Sequence, residues 1–150
     1  MRWMIILGIG LLTACVPNNS GSQPAAQAAP PKTAAVKPAG NLADGSASRA
    51  GGQIVLTDLG GGKTRLAVLI TGISGSTRHM GHIHVGTCAA VGPVAQALPV
   101  LSTDASGTGA TNAEIELAKL PAQIYVAYHQ RSPDDSAGIG GFIACAEIPR

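Results

Sequence analysis

The chain has 150 residues, with 10 Lys and Arg against 8 Asp and Glu, and only 3% of it is aromatic. That length suits one ordinary domain with appendages. The near-neutral balance excludes nucleic acid and an anionic membrane surface as electrostatic partners, since both need a clear excess of basic side chains.

The N-terminus reads as a targeting segment. Arg2 supplies a positive start and Trp3 to Leu12 an apolar stretch too short to span a bilayer. The stretch ends in Leu12-Thr13-Ala14-Cys15, which resembles a bacterial lipobox. The resemblance implies that residues 1–14 are a signal peptide and that Cys15 is lipidated, an effectively permanent membrane anchor. An ordinary secretory signal with an incidental cysteine is the alternative. Valine at position 16, in place of aspartate, lacks the usual inner-membrane retention signal. The expected location is therefore the cell envelope, on the periplasmic side, with the outer membrane favoured. Residues 15–43, rich in Pro, Ala, Ser, Gln and Asn, show no periodicity and predict a disordered tether. The folded domain is expected over 44–150.

Within it almost every signal is β. Gln53 to Leu56 predicts a short strand and Asp58 to Lys63 a turn. Thr64 to Ile70 alternates, with Leu66, Val68 and Ile70 on one face. Gly72 to Ser76 breaks the chain, and His79 to Val85 predicts a third strand. Val94 to Val100 predicts a fourth, interrupted by Pro99, and Asp104 to Gly109 a turn. Ala110 to Leu117 alternates again, which explains Glu114 to Leu120 better than a helix does. Ile124 to His129 and Phe142 to Ile148 complete the set. Short, evenly spaced strands with Gly and Asp turns predict an all-β, antiparallel sandwich or barrel.

Three of the four histidines fall inside six residues, His79-Met80-Gly81-His82-Ile83-His84. Side chains on a strand repeat every two residues, so His82 and His84 share a face. Two neutral imidazoles on one face begin a copper or zinc site. His129 ends its strand beside the acidic loop Gln130 to Asp135. It reads equally as a third ligand, oriented by a loop carboxylate, and as a surface histidine next to a turn. Cys88 and Cys145 form an even pair once Cys15 is assigned to lipid. In an exported domain such a pair is most simply a disulfide, with a thiolate metal ligand as the rival.

Several motifs in order carry a wider resemblance. His79-Met80-Gly81-His82-Ile83-His84 is followed by Cys88-Ala89-Ala90-Val91-Gly92-Pro93-Val94. Then come Val126-Ala127-Tyr128-His129 with Asp134-Asp135, and Gly141-Phe142-Ile143-Ala144-Cys145-Ala146-Glu147-Ile148. Over roughly residues 66–148 the chain resembles the copper/zinc superoxide dismutases. The resemblance implies a Greek-key β-sandwich or flattened barrel with one intradomain disulfide, Cys88–Cys145. It implies His82, His84 and His129 as copper ligands and catalytic residues, and His79 as a structural histidine. Two departures qualify it. Val94 stands where the family has the histidine that bridges copper and zinc, and the zinc loop is absent, so copper without zinc is expected. Phe142 stands where the family has the arginine that positions superoxide, and Arg131 is the only basic residue near the shortened steering loop. The expected function is that of a membrane-anchored, copper-only, superoxide-dismutase-like lipoprotein, an oxidoreductase with weakened turnover of superoxide. Two alternatives are a copper-buffering lipoprotein without turnover, and a chordin-type structural sandwich with no metal. The sequence carries no signal for oligomeric state.

Overall fold

The computed structural model describes residues 28–73 and 75–150. The expected signal peptide and Cys15 lie outside them. Among the described residues no helix is long and apolar enough to cross a membrane.

Among the described residues nine strands run in chain order: β1 (Lys32–Ala35), β2 (Lys37–Pro38), β3 (Gly51–Gly60), β4 (Lys63–Thr71), β5 (Arg78–Val85), β6 (Val94–Ser102), β7 (Gly109–Ile115), β8 (Ile124–His129) and β9 (Phe142–Glu147). They form two antiparallel sheets. One has the order β1-β3-β4-β7 and the other β2-β9-β8-β5-β6. Hairpins join β3 to β4, β5 to β6 and β8 to β9 within a sheet. The remaining links after β3 cross between sheets. Among the described residues no closed barrel forms, so of the two architectures that the alternation allows the fold is the sandwich.

Ile54 and Leu56 of β3, Leu66, Val68 and Ile70 of β4, and Ile115 of β7 meet Ile83 of β5 and Val126 and Tyr128 of β8 in one buried core. Tyr128 owes its place to Gly81 opposite it, since a Cβ there would lie 2.5 Å from the tyrosine ring. The phenol's burial raises its pKa well above the ordinary tyrosine value.

Three expectations need correction. The tether does not extend to residue 43: β1 pairs with β3, β2 pairs with β9, and Val36 between them enters the core. In Thr33-Ala34-Ala35-Val36 only Ala34 and Val36 turn toward the core, a pattern too short and too weakly apolar to stand out among the prolines around it. Pro99 does not interrupt its strand. It lies where β6 bulges against β5, between the pairs His79–Leu101 and Gly81–Leu98, on an edge strand whose outer N–H groups need no partner. The alternation at Ala110 to Leu117 ends at Ile115, and Leu117–Lys119 forms a single 3-10 turn.

Candidate metal centre

The cluster sits on the outer face of the five-stranded sheet. His82 pairs across β5–β8 with Ala127, and His84 with Tyr125. Ile83 between them points into the core. Tyr125 and Ala127 form a separate small cluster with Cys145, bordered by Cys88 and Phe142. His129, two residues beyond Ala127, arrives on the same face as the histidine pair. Ring nitrogens of His82, His84 and His129 all lie within 4.8 Å of one another. The expected third ligand is thus brought to the first two. The carboxylate expected to orient it is not.

Backbone carbonyls orient the rings instead. Nδ1–H of His84 donates to the Gly92 carbonyl at 2.9 Å, and Nδ1–H of His129 donates to the Gly140 carbonyl at 2.9 Å. Each bond fixes the tautomer and leaves Nε2 with its lone pair free. Nε2 of His129 lies 3.1 Å from Nδ1 of His82. Nε2 of His84 is buried without any hydrogen-bond partner, alone in this among the described side-chain nitrogens and oxygens. Three nitrogens about 2.0–2.1 Å from one ion in a trigonal set sit about 3.6 Å apart, so the widest pairs need to close by up to about 1 Å around it. The donor set, Nδ1 of His82 with Nε2 of His84 and of His129, therefore fits a metal ion bound by three imidazoles.

His79 is no part of that set. Its Nδ1–H donates to the His129 carbonyl at 2.8 Å, and its Nε2 accepts from the Thr77 hydroxyl at 2.7 Å. It is a buried strut that holds the end of β8 against β5.

Burial lowers the pKa of His82, and the neighbouring imidazoles His129 and His84 lower it further. Burial also lowers that of His129, partly opposed by the Gly140 carbonyl. Both rings are consequently neutral, the form that ligates, at neutral pH. Asp134 and Asp135 are engaged elsewhere. Asp134 pairs with Arg78 at 3.0 Å and Asp135 with Arg131 at 3.7 Å. Arg131 is thus not the only basic residue near this loop, because strand register brings Arg78 to it.

Tyr125 and Phe142 complete the site, the first not singled out by sequence reasoning. Tyr125 stacks on His84 with centroids 5.3 Å apart and planes 15° apart. Its hydroxyl accepts from the Gly92 N–H at 3.1 Å, so one residue both flanks His84 and holds the peptide that aims it. Gly92 has no room for a side chain, since a Cβ would collide with the Val85 carbonyl. Phe142 meets the His84 and His129 rings at 5.0 and 4.9 Å. The alternation of Tyr125 with Ala127 and His129 was the available signal for the first; for Phe142 the resemblance gave the position, and the ladder sets it opposite His129. Cys88 and Cys145 are joined in a disulfide, Cα atoms 5.9 Å apart, which fastens the loop carrying Gly92 to β9. Val94 is 54% exposed at the start of β6.

The chain matches no protein-family model and no curated protein.

Proposed function

We propose that this chain is a copper-binding, superoxide-dismutase-like lipoprotein, anchored through Cys15, in which His82, His84 and His129 hold one copper ion. The observation that carries the reading is the buried Nε2 of His84, which has no protein partner and belongs to a cluster whose other two imidazoles have only each other to hydrogen-bond at the site. Leaving a buried polar atom unpaired costs about 1–3 kcal/mol, a cost that a bound ion removes. An all-imidazole donor set without carboxylate or thiolate suits copper in both oxidation states. The strand order, with hairpins alternating with crossings between sheets, and the disulfide across the site support the Greek-key, dismutase-like reading.

When bound, copper supplies one-electron chemistry, by which one superoxide is oxidised to dioxygen and a second, with two protons, is reduced to hydrogen peroxide. The protein's own part is to aim the ligands and restrict access. The Nδ1–H groups of His84 and His129 are committed to carbonyls, so neither is free to give a proton. Protons must come from water on the side of His82, the half-exposed member of the set. No guanidinium replaces the aromatic ring at 142, so the anion approaches without the steering that accelerates association. Turnover is therefore slower than in a site that keeps the positive charge.

The cover provided by Phe142 favours a second reading, copper storage without turnover. One experiment separates the two. The full chain, purified in detergent and exposed to copper, should keep stoichiometric metal after desalting. It should consume superoxide faster than the His84→Ala protein under the same conditions. Retained copper with no difference in consumption leaves storage as the function. No retained copper overturns both and leaves a structural sandwich.

A further inference from the structure

His84 and His129 are 4% and 7% exposed, and aromatic carbon covers them on two sides. Phe142 meets both rings, Tyr125 stacks on His84, and the two aromatic residues meet each other with centroids 6.0 Å apart. Three imidazole ligands bring no negative charge to offset an ion. The carboxylates of the adjoining loop, Asp134 and Asp135, pair with Arg78 and Arg131 instead. An ion held here keeps its full charge beside an apolar cover.

The penalty for moving an ion from water into a medium of low dielectric constant rises with the square of its charge. For the same surroundings a divalent ion therefore pays about four times the penalty of a monovalent one. Cuprous copper is satisfied by three imidazoles, whereas cupric copper adds a water or another donor. Phe142 packs against two of the three ligand rings and so narrows the room for an added water beside them. An apolar shell and limited water access are the levers by which a protein sets the redox preference of a metal.

We propose that Phe142, backed by Tyr125, biases the three-imidazole centre toward monovalent copper, so that Phe142 determines which oxidation state the site prefers. The inference rests on the copper reading above and adds the oxidation state to it. Neither ring donates to the ion. Their effect is to withhold water and dielectric screening.

The test compares affinities for the two ions in the full chain and in Phe142→Ser, Phe142→Gln and Phe142→Leu. Cuprous binding is measured anaerobically against a cuprous chelator, and cupric binding against a cupric chelator. Glutamine fills nearly the same length as phenylalanine, so Phe142→Gln remains informative if Phe142→Ser collapses. In both polar variants the preference for cuprous copper should fall about tenfold, which is about 59 mV for a one-electron couple. In Phe142→Leu, which stays apolar, it should stay within about twofold of the unaltered chain. A preference that is unmoved in the polar variants, or that moves equally in Phe142→Leu, overturns the proposal while copper binding stands. A chain that binds neither ion overturns the copper reading, and this proposal with it.

Discussion

His84 bears more of the site than either of its partners. It is buried, it is aimed by a carbonyl, and its free nitrogen has nothing else to bind. His84→Ala should lower copper affinity by more than about a hundredfold, the upper end for losing a mere outer-shell partner. Competition with a chelator of known affinity measures this. His79→Ala should behave in the opposite way. It leaves the His129 carbonyl without its imidazole donor and removes a buried ring, and should cost about 2–3 kcal/mol of folding stability, with a smaller change in copper affinity. Denaturant titration beside the same chelator competition distinguishes the two. The histidines also set a pH dependence. Burial holds His79 below its ordinary value of 6.5, as it does His82 and His129. The unfolded chain therefore binds protons that the folded chain refuses, and the metal-free protein is most stable above pH 6.5 and loses stability as pH falls below it. Thermal unfolding of the metal-free chain from pH 7.5 down to 5 should show the decline, and His79→Ala should make it shallower. The two-residue period made His82 and His84 legible as a pair. The groups that aim them were not, because Gly92 and Gly140 act through backbone atoms.

At the scale of the elements, strands whose apolar residues alternate were readable. Ile124–His129 carries its expected bounds, and β4 differs by one residue at each end. The failures came where local composition and tertiary pairing disagree. Lys32 to Pro38 looks like linker, yet β3 and β9 accept it as an edge, and Val36 supplies the apolar anchor. A chain shortened to begin at Asp44 should therefore lose at least about 2 kcal/mol against one that begins at Ala28, from the burial of Val36 alone. Chemical denaturation of the two chains checks it. The disulfide belongs to the same scale. It joins residues 57 apart, so its removal by a Cys88→Ser, Cys145→Ser double change should cost about 4 kcal/mol by the chain-entropy estimate. Because it fastens the loop that carries Gly92, the same change should also weaken copper retention. Retention that survives in the folded double variant would show that Tyr125 alone keeps Gly92 in place.

Taken as a whole, the molecule divides its labour between two faces of one sheet. The inner face of β5 and β8 carries Ile83, Val126 and Tyr128 into the core, and the outer face carries the three imidazoles. Alternation along two adjacent strands thus gives both the stability and the site, and loss of register by one residue would exchange them. The loops then finish what the sheet begins. Gly92 and Gly140 sit in different connections, one before β6 and one before β9, and each turns a single peptide oxygen toward a ring. A side-chain scan across these loops would register the steric demand at the glycines and otherwise find little. The features that aim the ligands are written in the path of the main chain, so loop sequence can drift widely while the imidazoles keep their aim.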